Sequence, residues 1–492
     1  ILVSLCCELE KPPSEPVYLN RRASVEDRVN DLLSRMTLKE KIAQLNLSVG
    51  PMLPEEAMNS RDSARIDSVR NMISSGLAGS YYNLGSIRKI NAVQKLAEQS
   101  RLKIPVLIST DAIHGHGQYP GATIFPTPIG IASTWEPALA EKAAVITALE
   151  MRATGVHWTY SPNVDVIRDP RWGRAGETFG EDPFLVGEMG KAFVRGYEHA
   201  HSQKRNKVLS CLKHFAAGGE PVNGINIAPT DISERTLREI YLPPFRAGVE
   251  EGSWSLMAAH NEIGGIPCHA SEFLLTEILR EKWGFEGIVI SDWKYIFELV
   301  GYHRVASDKK DAIRQAVTAG IDMHNYGTEF IEPLSELVME GIISEERINK
   351  PVRVMLKAKF ELGLFESRYI DEEEAGKFIA NDEHTNISLE IARKTIILLK
   401  NEEDLLPLSN NLNRIFITGP NADNLSVYGD WVFPQPDKPV TILDGISMAV
   451  NPKTRVDYYN CGDFRALDDE TIRSAAFRAG KADAAIVVVG GN

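Results

Sequence analysis

Paired cysteines, excess basic charge and long apolar runs are all scarce in this chain. Its five cysteines, Cys6, Cys7, Cys211, Cys268 and Cys461, form no CxxC pair, and no histidine stands at the spacing that completes a zinc site. A metal centre is therefore not expected, and Cys211, inside a strand candidate, reads as a buried small hydrophobe. Lysine and arginine number 54 against 67 aspartate and glutamate, a net charge of −13. That balance argues against nucleic acid or an anionic membrane surface as partner and leaves neutral or cationic small molecules open, sugars among them. No stretch reaches the uninterrupted apolar length of a membrane span. No Gly-rich phosphate turn follows the first strand candidate, so a dinucleotide cofactor is disfavoured, and no other cofactor is expected.

What is present is length and alternation. A chain of 492 residues is too long for one ordinary core and points to two domains or more. Residues 1–22 begin on the apolar run Ile1–Cys7 and turn Pro-rich at Lys11-Pro12-Pro13. They read equally as the end of an export signal with a tether, which implies a periplasmic or extracellular location, or as an ordinary terminus. A lipid anchor fits poorly, because Cys6 follows Leu5 rather than a small residue. From 23 to 365 strand candidates alternate with helices. The strands are Ile104–Ser109, Val156–Tyr160, Val208–Leu212, Ser255–Ala259, Gly287–Ser291 and Ile321–Met323; the helices include Pro137–Arg152, Asp182–Glu198, Glu234–Glu251 and Ser271–Lys282. This is the pattern of an α/β fold with a parallel sheet, and over this length a (β/α)8 TIM-type barrel is favoured. Residues 366–386, with Asp371-Glu372-Glu373-Glu374, read as an acidic, helix-poor linker. Residues 387–492 read as the first part of an α/β sandwich domain, with a helix at Ile387–Thr395 and a strand at Ile396–Leu399. It continues through Ile415–Gly419, Val440–Val450 and Ala484–Val489, where a domain should not stop.

Polar residues cluster just after the strand candidates: Asp111, then Lys213 and His214, then His260, Asp292 and His324. In a barrel the carboxyl ends of the strands converge on one pocket. The sharpest case is Ser291-Asp292-Trp293, which closes the apolar run Gly287–Ile290: a carboxylate able to attack carbon beside an indole able to pack on a sugar ring. Taken alone, Asp292 reads as readily as the cap of the next helix, and His324 as solvated rim. Lys213 and His214 are successive residues, which face opposite sides of a regular strand. If both reach the pocket, the backbone there must leave strand geometry.

Several motifs in fixed order carry a family resemblance. They are Thr110-Asp111-Ala112-Ile113-His114-Gly115, Gly121-Ala122-Thr123-Ile124-Phe125-Pro126, Arg168-Asp169-Pro170-Arg171-Trp172-Gly173-Arg174, Glu181-Asp182-Pro183, Lys213-His214-Phe215 and Ser291-Asp292-Trp293, with Leu399-Lys400-Asn401-Glu402 and Gly419-Pro420-Asn421-Ala422-Asp423 in the second domain. From Val25 to about Gly490 the chain resembles glycoside hydrolase family 3. The resemblance implies a retaining, exo-acting β-glycosidase, most like a β-glucosidase, that removes non-reducing terminal β-D-glucosyl residues from an oligosaccharide or glucoside. It makes Asp292 the catalytic nucleophile and places Asp111, Arg174, Lys213, His214, Trp293 and His260 at the substrate. Arg174 has an alternative partner in Glu177, Glu181 or Asp182. His260 stands where family members commonly carry a tyrosine that hydrogen-bonds the nucleophile. The family's general acid/base comes from a loop of the second domain beyond the strand ending here at Val489, so it is expected to be absent from this chain. Asp111 favours a glucoside, since xyloside-cleaving relatives often carry Glu there, and the loop Ala216–Pro221 lacks the Asp-x-His pattern of N-acetylhexosaminidases. A β-xylosidase, a sugar-binding protein without activity and a Schiff-base aldolase using Lys213 stay open. The oligomeric state is not indicated.

Overall fold

Ser24 opens the first long helix, Val25–Arg35, by accepting a hydrogen bond from the Asp27 amide. Thr37 and Glu40 form a reciprocal capping box on the next, Leu38–Gln44. The coordinates are a computed structural model, which describes residues 16–50, 60–199, 207–433, 439–462 and 467–490. Most of the expected N-terminal tail, with Cys6 and Cys7, lies outside the described residues.

The first unit is built on short parallel strands: β1 (Asn46–Ser48), β2 (Ser80–Tyr82), β3 (Leu107–Thr110), β4 (Trp158–Thr159), β5 (Cys211–Phe215) and β6 (Ser255–Ala258). A small antiparallel hairpin follows, β7 (Glu262–Ile263) and β8 (Ile266–Pro267), then β9 (Ile288–Ile290) and β10 (His324–Asn325). One sheet runs β10-β1-β2-β3-β4 and another β5-β6-β9. Single parallel bridges join them, Trp158 to Leu209 and Asn163 to Lys213 on one side and Ile290 to Met323 on the other. Strands such as β3, β6 and β9 are buried at every position, as parallel strands covered on both faces require. Helices pack outside them, and one continuous apolar core runs from Tyr18 to Ile391.

Several boundaries differ from the sequence reading. The strand expected at Ile104–Ser109 starts at Leu107, after Pro105, which has no amide to give a ladder. The strand expected at Val208–Leu212 is shifted to Cys211–Phe215, so Lys213 and His214 lie in it rather than after it. Strands β1 and β2, Asn46-Leu47-Ser48 and Ser80-Tyr81-Tyr82, gave no signal because they are three residues long and largely polar. His324 is no solvated rim residue: it is fully buried, its ring 4.9 Å from Phe297 and 5.3 Å from Phe330.

The expected linker is more helical than its composition suggested. Asp371 caps a helix at Glu372–Gly376, whose acidic first turn suits the positive end of the helix dipole, and Asn381 caps Asp382–Lys394. The run Ile396–Leu399 forms no strand; Leu399 is 91% exposed. The β-branched Ile396 and Ile397 favour extended chain, yet a strand exists only with a partner, and among the described residues this run pairs in no sheet. A second parallel sheet follows, in the order β12-β11-β13, from β11 (Arg414–Thr418), β12 (Arg455–Tyr459) and β13 (Ala484–Val487). Ile415, Ile417 and Ala422 form its small core. Within the segment expected at Val440–Val450, residues Ile442–Ala449 are a helix, capped by Thr441 and Asp444.

Candidate active site

A pocket of about 330 Å³ opens at the carboxyl ends of the first unit's strands. Asp111, just past β3, sits on one wall. Its Oδ1 accepts from Lys213 Nζ at 2.8 Å and its Oδ2 from the Tyr82 hydroxyl at 2.8 Å. The Lys213 side chain is only 2% exposed, so this ion pair is nearly dry. The peptide between Lys213 and His214 is cis, and both side chains line the pocket. His214 donates from Nδ1 to Asp165 Oδ2 at 2.7 Å, while its Nε2 accepts from Arg174 Nη2 at 3.2 Å. An acceptor on one side and a guanidinium on the other fix a neutral ring protonated at Nδ1. Burial and the Arg174 charge hold the His214 ring well below its ordinary value, and burial pushes Asp165 up to about 7. Arg174 is clamped by Glu177 through two bonds, of 2.7 and 2.9 Å. Burial alone would raise Glu177, but Arg174 outweighs it and keeps the carboxyl ionised.

Asp292 follows β9. Its Oδ2 meets His260 Nδ1 at 2.6 Å and its Oδ1 accepts from the Trp293 amide at 2.6 Å. Its own amide donates to His269 Nε2 at 3.0 Å, and His214 Nε2 lies 3.9 Å away. Burial would raise its carboxyl, but the charge and hydrogen bond of His260 and the charge of Arg174 hold it well below the carboxylate range. The side chain does not cap the next helix. That helix starts at Tyr295, and Lys294 occupies its N-cap with φ 64°. Trp293 is 39% exposed, and its ring sits 5.4 Å from Tyr82 and 4.6 Å from Tyr326.

The last wall comes from the far side of the linker. Trp431 lines the pocket with its ring 5.0 Å from Lys213 Nζ, a cation–π contact. Its loop is tied to the loop after β3: the Phe433 amide donates to the Gly117 carbonyl at 3.0 Å. His114 meets the Phe125 and Asp430 carbonyls at 2.8 and 2.7 Å. The approach needs glycine on both sides. A Cβ on Gly117 would come within 2.7 Å of the Trp431 carbonyl, and one on Gly429 within 2.5 Å of Thr127 Cγ2.

The order of these parts along the chain has a counterpart elsewhere. Residues 37–358 match the glycosyl hydrolase family 3 N-terminal domain and 396–492 the family 3 C-terminal domain. The chain belongs to glycoside hydrolase family 3. It is 34% identical to a periplasmic β-glucosidase of Salmonella typhimurium over 468 residues, 93% of this chain and 59% of that protein. It is 35% identical to a β-xylosidase of Formosa agariphila over 441 residues, 82% of this chain and 60% of that one. A solved β-glucosidase from Listeria innocua in complex with glucose superposes with a TM-score of 0.85 at 30% identity, covering 95% of this chain and 64% of that one. The chain thus spans about six-tenths of the length of the relatives it matches.

Of the seven site residues named from sequence, six line this one pocket: Asp111, Arg174, Lys213, His214, Asp292 and Trp293. His260 stands behind Asp292 and reaches it directly. Trp431, from the loop after β11, is an eighth side chain at the same pocket. Sequence reasoning missed Tyr82, Tyr160, Met257 and Asn325 as pocket-lining residues, and Asp165 as the partner of His214. Tyr160 closed a strand candidate, so the strand-end rule could have named it. Tyr82 and Asn325 end β2 and β10, whose extents were not recognised. Among the described residues no group of three or more His, Cys, Asp or Glu side chains is arranged to hold a metal, and no helix is long and apolar enough to cross a membrane.

Proposed function

We propose that this chain carries the nucleophile and glycone pocket of a retaining, exo-acting β-glycosidase, most like a β-glucosidase. The observation that carries the reading is Asp292: a half-buried carboxylate kept ionised, at the end of β9, in a pocket walled by indoles and by hydrogen-bonding groups. We read residues 23–365 as a (β/α)8 barrel, because β1–β6, β9 and β10 are linked in sequence and the bridges join β4 to β5 and β9 to β10. Residues 366–386 are then the linker and 387–492 part of an α/β sandwich domain. A periplasmic or extracellular location agrees with the name of the Salmonella typhimurium relative.

In this mechanism a carboxylate oxygen of Asp292 attacks the anomeric carbon. The bond to the aglycone oxygen breaks, and that oxygen takes a proton from a general acid. Water then attacks the glycosyl ester from the opposite face, giving up a proton to the same group, and sugar leaves with its configuration retained. Asp111 accepts from sugar hydroxyls while Lys213 and Arg174 donate to others, and His214, whose Nε2 carries a lone pair, borders the ring and holds Arg174 in place, fixing the sugar for in-line attack. Trp293 packs beside the ring, and Trp431 adds a wall of the pocket. Asp111 and Asp292 are the carboxylates lining the pocket among the described residues. Asp111 is held by Lys213 and Tyr82 as an acceptor, so we assign it no acid role and place the general acid outside the described pocket.

The test is a panel of aryl β-glycosides. The account expects this chain to hydrolyse dinitrophenyl β-glucoside, whose leaving group needs no proton, and to be poor on unactivated glucosides. Robust hydrolysis of an unactivated glucoside would place an acid among these residues. The Formosa agariphila relative supports a xyloside as the rival substrate, and faster turnover of the xyloside in the same panel would favour it. Asp292→Ala should lower hydrolysis of the activated glucoside by about three orders of magnitude or more, with azide restoring turnover to inverted product. Undiminished activity would remove Asp292 from the nucleophile's place.

A further inference from the structure

His260 lies between two hydrogen-bond acceptors. Its Nδ1 is 2.6 Å from Asp292 Oδ2, and its Nε2 is 3.2 Å from Asn226 Oδ1. An amide can be turned to offer its NH2 instead, but not here. Asn226 Oδ1 also receives the Trp172 indole N–H at 2.8 Å, and an indole nitrogen only donates. The atom that Trp172 meets is therefore the amide oxygen, and the same atom faces His260. A neutral imidazole carries one N–H and would set a lone pair against one of these oxygens. A ring with both nitrogens protonated satisfies both.

We propose that His260 is an imidazolium paired as a cation with the nucleophile, a positioning residue that holds Asp292 as an ion pair. A tyrosine, which the family resemblance leads one to expect at this place, would give a neutral hydroxyl instead. The groups around the ring agree with a positive charge there. From the segment after β9 come Asp292 and the Tyr295 ring, at 4.9 Å. From β5 comes His214, at 5.5 Å between ring centroids, neutral and hydrogen-bonded to Arg174. His269 accepts the Asp292 amide and adds no proton donor to the carboxylate. His303 donates from Nε2 to the His260 carbonyl at 3.2 Å and faces Glu262 with Nδ1 at 3.1 Å. The cations nearby, Arg174 and Lys213, are each committed to a carboxylate of their own, Glu177 and Asp111. Asp292 thus remains the carboxylate in direct contact with His260.

A charged partner does two things that a neutral hydroxyl does not. It shortens and strengthens the hydrogen bond to the carboxylate, and it lowers the basicity of the attacking oxygen, which eases release of the glycosyl ester. This inference rests on Asp292 being the nucleophile, but its first test does not. In the whole chain labelled with 15N-histidine, and with the His260 signal identified by its loss in His260→Tyr, both ring nitrogens should be protonated at pH 7. In Asp292→Asn the same ring should become a single neutral tautomer. A neutral His260 in the wild type, or a signal unmoved by Asp292→Asn, would overturn the proposal without touching the glycosidase reading. The second readout is kcat/KM on dinitrophenyl β-glucoside, for which no general acid is needed. His260→Phe should lower it by about tenfold to a hundredfold, as loss of one charge-assisted hydrogen bond does. His260→Tyr should recover part of this, because a hydroxyl restores the donor without the charge. Full recovery in His260→Tyr, or no loss in His260→Phe, would refute the role of the charge.

Discussion

Lys213→Met tests whether the pocket is held by a dry ion pair. The lysine side chain is 2% exposed, that of Asp111 10%, and their 2.8 Å contact joins segments 102 residues apart in sequence. Removing one partner of a buried pair strands the other charge, typically at ~3–5 kcal/mol. Here the Tyr82 hydroxyl still donates to Asp111 at 2.8 Å, so the lower end, ~3 kcal/mol, is expected. Asp111→Asn in the Lys213→Met background removes the stranded charge and should return at least ~1 kcal/mol, the coupling characteristic of groups in direct contact. Because the chain has more than one structural unit, a single global unfolding energy is not well defined. The assay is therefore hydrogen exchange at the β3 and β5 amides in a urea series, which reads local stability. Additive costs in the double variant would refute the reasoning, as would a Lys213→Met change within ~0.5 kcal/mol, the range of ordinary surface substitutions.

Trp431→Ala removes both a pocket wall and the cation–π contact to Lys213. Calorimetric titration with glucose should show about tenfold weaker binding; unchanged affinity would take the loop at 430–433 out of the site. Lys359 is buried on Gln44 Oε1 and the Gly79 carbonyl, and burial depresses it to about 7 from an ordinary 10.5. Over pH 7 to 10.5 the unfolded chain holds that proton and the folded chain does not, so this group's contribution to stability rises with pH in that window. The melting temperature of the wild type should gain on that of Lys359→Met between pH 7 and 10, and a constant gap would contradict the assignment.

How much of this was legible depended on where the signal lay. The long helices between the strands, such as Pro137–Thr154, were legible from the alternation of elements, and the strands β3, β6 and β9 from their apolar runs. The site residues were legible because a parallel strand presents its last side chains at one rim. That rule found Asp111 and Asp292 from local sequence alone, and the motif order added Arg174, which lies deep in the loop after β4 rather than at the strand's end. It failed for Tyr82 and Asn325, whose strands are held by pairing with neighbours rather than by local propensity. The run Ile396–Leu399 shows the converse, since strong strand composition gave no strand without a partner. Asp165, Glu177 and Asn226 act by supporting other side chains, and which His or Arg they support is a tertiary fact. His260 could be named as a departure from the family's motif. Its position between two acceptors could be read only from the folded chain.

The central claim is that Asp292 forms the bond to sugar. Incubation of this chain with 2-deoxy-2-fluoro-β-glucosyl fluoride tests it most directly, because fluoride departs without a general acid and the fluorine at C2 slows release of the ester. Peptide mapping by mass spectrometry should find one fluoroglucosyl group on the peptide containing Ser291-Asp292-Trp293, carried by Asp292 and absent after Asp292→Ala. A label on Asp111, Glu177 or any other carboxylate, or no label while the activated glucoside is turned over, would contradict the account.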